Sequence, residues 1–140
     1  MRFLDTNILL RYLVKPASPL DAAKQQACAE LLQRAKRGQE QFTTCEAVFA
    51  EVLYVLCSPR QYQLSHADAA ARLRPILALR GLKLPQKRRY QRALDLFATY
   101  PFLDIEDALQ VAHMEQQEIQ ELYSYDTDFD RVPGVNRLEP

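Results

Sequence analysis

Short apolar stretches alternate along the chain with longer segments in which apolar residues recur every three or four positions. Arg2–Leu4 reads as a brief buried strand that passes through Asp5-Thr6-Asn7 into a helix carrying Ile8, Leu9, Leu10, Tyr12 and Leu13. Pro16 and Pro19 punctuate the loop that follows. Ser18 or Asp21 is placed to cap a long helix reaching Arg37, with Ala23, Ala27, Leu31 and Leu32 inward and Gly38 at its end.

Phe42-Thr43-Thr44 predicts a second strand, with Thr44 as N-cap of a helix over Glu46–Leu56 that Pro59 stops. Ser65-x-x-Asp68 opens the next helix as a capping box with Asp in place of Glu, and Pro75 is expected to break or kink it. Leu82-Lys83-Leu84 reads as a strand and Pro85 as a turn. Helices are expected over Arg89–Tyr100 and Asp104–Gln117, then strands over Glu121–Tyr125 and Val135–Leu138. Brief strands alternating with longer helices predict an α/β fold, a three-layer α/β/α sandwich in which a mainly parallel sheet is covered on both faces. The 140 residues suit one domain, 1–140.

Composition removes several classes. With 48% apolar and 26% charged residues the chain is an ordinary globular one, neither fibrous nor disordered. Cys28, Cys45 and Cys57 form no C-x-x-C pair and read as buried small hydrophobes in a reducing compartment, not as a zinc site. The opening Met1-Arg2-Phe3-Leu4-Asp5 carries no signal-peptide pattern, and no segment nears the roughly 20 apolar residues of a membrane helix, so the expected location is the cytoplasm, with no membrane partner. Eighteen basic residues balance eighteen acidic ones. A nucleic-acid ligand would therefore have to be met by a local basic patch or by bound metal.

The chemistry lies in the acids. In a parallel sheet the crevice forms at the carboxyl ends of the strands, where Asp5 closes the first strand and Asp126 with Asp128 follows the strand after Glu121. Glu51 interrupts the apolar run Val48–Leu53, and Asp107 immediately precedes the inward stripe of its helix. An unpaired carboxylate in such a place neutralises or finds a cation. Hard oxygen ligands with few nitrogens point to Mg²⁺ or Mn²⁺ rather than zinc. Each acid also has a plainer reading. Asp5 and Asp126 sit where Asp caps a helix or turn, Glu51 where an arginine pair would hold it, and Asp107 where a helix dipole favours it.

Three stretches, Phe3-Leu4-Asp5-Thr6-Asn7-Ile8-Leu9-Leu10-Arg11-Tyr12-Leu13, Glu51-Val52-Leu53-Tyr54-Val55-Leu56 and Asp104-Ile105-Glu106-Asp107-Ala108-Leu109, followed by Tyr125-Asp126-Thr127-Asp128-Phe129-Asp130-Arg131-Val132, resemble PIN-domain proteins, especially the VapC-type toxins of toxin–antitoxin modules. The resemblance implies a sheet of about five parallel strands and an acidic pocket binding one or two divalent ions. Matching positions are Asp5, Glu51, Asp107 and the Asp126/Asp128 pair, with Thr6 and Asn7 as supporting polar residues and Asp104 one turn before Asp107. Glu106 is a departure, an acid where small residues are common in that family.

The implied activity is metal-dependent endoribonuclease cleavage. Asp5, Asp107 and Asp126 (or Asp128) would be the metal ligands, and Glu51 would bind a second ion or orient the attacking water. The implied partners are RNA, a small antitoxin protein and a second copy of the chain. Lys87-Arg88-Arg89 is a candidate grip on RNA phosphates, and Tyr62 and Tyr90 are candidates for base stacking. His66 and His113 receive no role. The rival readings are a haloacid-dehalogenase-like phosphatase, which would need a second Asp where Asn7 stands, a receiver-like signalling module, and a PIN-like binding module without catalysis.

Overall fold

A computed structural model describes the whole chain, Met1–Pro140. Its order is β1 (Arg2–Phe3), α1 (Thr6–Leu13), α2 (Pro19–Lys36), β2 (Phe42–Thr43), α3 (Glu46–Cys57), α4 (His66–Leu77), α5 (Lys87–Thr99), α6 (Ile105–Gln116), β3 (Glu121–Tyr123), a short 3-10 helix (Thr127–Arg131) and β4 (Asn136–Leu138). The strands are parallel, β1 with β2 and β3 with β4. A bridge from Phe42 to Leu82 adds a further extended segment beside β2. This is an α/β protein with parallel strands.

The expected sheet of about five strands is corrected in one respect. All five extended segments are present, but they form two two-stranded ladders and an isolated bridge, not one continuous sheet. The reason is length. Strands of two or three residues carry only one or two ladder hydrogen bonds each, so helix packing, not the ladder, does most of the holding. One apolar core draws on all six helices, with Val52, Leu53, Leu56, Leu94 and Leu103 fully buried within it. Each such side chain contributes about 1.5–3 kcal/mol by leaving water.

The helix ends follow local chemistry. Ser18 and Ser65 accept from the backbone N–H of Asp21 and Asp68, both at 3.1 Å, and start α2 and α4. α2 stops at a left-handed Gly38 (φ 76°). Thr44 does not cap α3. Cys45 occupies that position, and the Thr44 hydroxyl donates to the Leu4 carbonyl at 2.9 Å, tying the end of β1 to the start of α3. Pro75 does not break α4. It lies within the last turn and the carbonyl it leaves without a partner, on exposed Ala71, faces water. Gly81 is required by proximity: a Cβ there would lie 2.1 Å from the Glu40 carbonyl oxygen. No helix is long and apolar enough to cross a membrane.

Candidate active site

Four chain segments carry the candidate acids, and the capping hydrogen bonds separate their roles. Asp5 holds the N-cap position of α1, yet its carboxylate makes no capping bond. The plain explanation for an Asp at that position therefore does not account for its side chain. Asp104 does cap, accepting the Asp107 N–H at 2.8 Å to start α6. Asp126 likewise accepts the Asp128 N–H at 2.9 Å and starts the 3-10 helix, while its own N–H donates to the Ser124 hydroxyl at 3.0 Å. That turn ends β3 at Tyr123, two residues earlier than the apolar pattern suggests.

Glu51 sits on α3, on the exposed side of an otherwise buried helix. Buried Thr6 (7% exposed) donates its hydroxyl to Glu51 Oε2 at 2.6 Å. Thr6 is the residue after Asp5, so this bond fastens Glu51 to the start of α1 beside Asp5. The bond uses one carboxylate oxygen of Glu51 and leaves the other without a hydrogen-bond partner in the protein.

Asp107, in the first turn of α6, forms a second group. Its pKa is pushed up to about 6, first by partial burial, then by the charges of Asp104 and Asp126, by its hydrogen bond with Asp104 and by Glu106. Asp126 thus stands close enough to oppose ionisation of Asp107; Asp128 is not among the groups that do so. The acids lie as two sets, Asp5–Thr6–Glu51 and Asp104–Asp107–Asp126. No three His, Cys, Asp or Glu side chains converge closely enough to grasp a metal ion as they stand.

None of Asp5, Glu51, Asp104, Glu106, Asp107, Asp126 or Asp128 pairs with an arginine or lysine; Asp21, Glu40, Asp95, Glu115, Asp130 and Glu139 do, and Glu30, Glu46, Asp68, Glu118 and Glu121 are unpaired elsewhere. The donor set at this edge is therefore all oxygen, negatively charged and unneutralised, which is the chemistry a hard divalent cation takes.

Other expected contacts are redistributed. The Lys87 ammonium donates to the carbonyls of Leu79 (3.2 Å) and Leu82 (2.7 Å), and burial followed by the neighbouring Lys83 charge lowers its pKa. It holds the turn before α5 and is not extended toward a phosphate. Arg89 donates to Gln116 at 2.9 Å and joins α5 to α6, so only Arg88 of the three keeps a free head. Tyr90 is buried edge-on against Phe49, with ring centroids 5.0 Å apart, and is not a stacking platform. Tyr62 is exposed, and lines a cleft with Asn7, Arg11 and Lys15. His66 stacks on Phe97 at 3.8 Å and its Nδ1 lies 3.1 Å from the Phe97 carbonyl, a packing role that agrees with leaving it unassigned. The sequence reading passed over Arg11, one turn after Asn7 on α1, and Lys15, just past the end of that helix.

Comparison with known proteins agrees with this picture. The PIN domain family model matches residues 2–135, a span that includes Asp5, Glu51, Asp104, Asp107, Asp126 and Asp128. A VapC ribonuclease of Mycobacterium bovis and ribonuclease VapC13 of Mycobacterium tuberculosis are each 33% identical over 143 residues, covering 99% of this chain and 99% of their own. With an α/β fold of parallel strands and an unpaired acidic edge inside the matched span, the chain belongs to the PIN domain family.

Proposed function

We propose that this chain is a divalent-metal-dependent endoribonuclease, a single PIN-type domain over residues 1–140, and the toxin of a toxin–antitoxin pair. The observation that carries the reading is that Asp5, Glu51, Asp107 and Asp126 all lack a cationic partner, while Thr6 joins Glu51 to the residue after Asp5 and the charge of Asp126 acts on Asp107. Near-full-length similarity to proteins named as VapC ribonucleases supports it. Asp5, Asp107 and Asp126 would hold Mg²⁺ or Mn²⁺, with Asp128 adjoining. A bound ion there would supply Lewis-acid polarisation of a phosphate oxygen and a nucleophile usable at neutral pH.

The chain's own residues account for the rest. Glu51, fixed by Thr6, offers its free oxygen to orient the attacking water. Asp107, whose pKa is raised to about 6 by partial burial and the charges of Asp104 and Asp126, would be relieved of that penalty by a cation. Asn7, exposed two positions after Asp5, is a polar neighbour for the substrate strand. The same negative edge suits the cationic tail of a small antitoxin, and self-association as a homodimer in the cytoplasm completes the proposed assignment.

The test is cleavage of total RNA in Mg²⁺, Mn²⁺ or chelator by the wild type and by Asp5→Asn. Cleavage is expected to need the metal and to drop by at least about 100-fold in the variant, whose fold is checked by circular dichroism. Equal cleavage by both proteins would refute the assignment.

A further inference from the structure

The chain is electrically neutral overall, and its most obvious basic run, Lys87–Arg89, is largely committed to internal hydrogen bonds. An RNA strand approaching an acidic edge nevertheless needs positive charge beside it. A cleft along α1 supplies it. Its floor is the helix stripe Asn7, Leu10, Arg11 and Val14, and Lys15 and Tyr62 form its rim. At a rise of 1.5 Å per residue, Asn7 to Val14 spans roughly 10 Å, so the cleft extends from beside Asp5 to the far end of the helix.

The charges along that floor are graded. Arg11 is held by Asp21 at 3.0 Å, both about one-third exposed, which fixes the guanidinium while leaving its other N–H donors open. Lys15 has no acidic partner. Arg72 donates to the Leu13 carbonyl at 2.8 Å and adds a third cation at the C-terminal end of α1, where the helix dipole favours positive charge. Tyr62 is 45% exposed on the opposite wall. Cations beside an exposed aromatic ring are the two elements that hold single-stranded nucleic acid without base-specific contacts.

We propose that this α1 cleft is the subsite that grips the single-stranded RNA flanking the cleaved bond, with Lys15 and Arg11 on phosphates and Tyr62 against a base. The assignment rests on the ribonuclease reading and specifies where the substrate strand leaves the acidic edge.

The test uses Asp5→Asn, which binds without cutting, and a fluorescently labelled single-stranded RNA titrated in chelator over a series of salt concentrations. Adding Lys15→Ala should lower the slope of log affinity against log salt by about 0.7 and weaken binding at low salt. Adding Tyr62→Ala should weaken binding roughly five-fold or more with the slope unchanged. Lys36→Ala, at the other end of α2 and about 22 Å along that helix from Asp21, should change neither. Both side chains are surface groups, and unchanged thermal unfolding would show that the variants fold.

RNA bound with wild-type slope and affinity by both cleft variants would overturn the subsite while leaving the ribonuclease reading intact, and the cleft would then serve a protein partner. No RNA bound by Asp5→Asn, together with no RNA cut by the wild type, would overturn both.

Discussion

The acids on the α4–α5–α6 side of the molecule and those at the edge near Asp5 have opposite surroundings. On the first side Arg74 pairs with Asp95, and Arg92 forms a two-pronged bridge to Glu115, at 2.6 and 2.9 Å. These pairs join neighbouring helices and leave little unbalanced charge. At the second, Thr6 and two backbone N–H groups are the partners of Glu51, Asp104 and Asp126, and none of the three forms an ion pair with a guanidinium or ammonium. Neutral hydrogen bonds fix a carboxylate in place without cancelling its charge. The two regions show how one kind of side chain serves cohesion in one place and holds a field in another.

Exchanging the two regions' chemistry should give unequal results. The largest effect is expected at the edge: Asp107→Asn should lower RNA cleavage by about 10²–10⁴-fold, whereas Glu115→Gln should leave it within assay error. Finding both variants equally active would erase the functional distinction.

Next in size is the response to metal. If the edge takes a divalent ion, Mg²⁺ or Mn²⁺ at 100 times its dissociation constant should stabilise the wild type by about 2.7 kcal/mol. Asp107→Asn should lose most of that gain, and Glu115→Gln should keep it. Thermal unfolding with and without metal reads this directly, and an equal gain in both variants would move the ion elsewhere.

A smaller effect belongs to pH. Asp107 has a folded pKa of about 6, above its ordinary value of 3.8. The folded state therefore holds that proton more tightly than the unfolded chain, and the resulting stability is complete below pH 3.8 and lost as pH rises through 6. Because the group is only half-buried, the loss should be about 1 kcal/mol after solvent screening. Denaturant titrations in chelator should show it in the wild type and not in Asp107→Asn, so a flat wild-type profile over this range would contradict the crowding of the three acids.

The smallest expected change is on the paired side. Arg92→Ala breaks a half-exposed bridge and should reduce stability by about 0.2–1 kcal/mol, with cleavage unchanged. A loss of activity there would show that the helix pair α5–α6 positions Asp107 more tightly than its surface bridge suggests.

Much of the site was legible because its residues violate the pattern around them. Glu51 stands in a helix with Val52 and Leu53 fully buried, and Asp5 follows buried Leu4, although the strand before it, Arg2–Phe3, is exposed and not buried as its apolar pattern suggests. The cap at Ser18 was one of two readable choices, and that at Ser65 followed directly from a hydroxyl three residues before an N–H that needs an acceptor. The basic run at Lys87 misled, because its charge density is visible in the sequence while the carbonyls of Leu79 and Leu82 that absorb it are not. Tyr90 misled in the same way, since exposed and buried tyrosines look alike until Phe49 is placed beside one. Lys15 and Arg11 were readable as a stripe with Asn7 but acquire meaning only once Tyr62, from a distant loop, closes the cleft.

By itself the sequence determined the alternation of short strands and amphipathic helices, the caps at Ser18 and Ser65, and which acids stand out of place. These depend on residues within a turn or two of one another, where backbone geometry leaves few choices. Tertiary structure alone decided that the sheet is two short ladders, that Thr6 reaches Glu51 across 45 positions, and that Asp126 opposes ionisation of Asp107. Those outcomes depend on the distance and dielectric between groups far apart in the chain, quantities fixed only when the core packs.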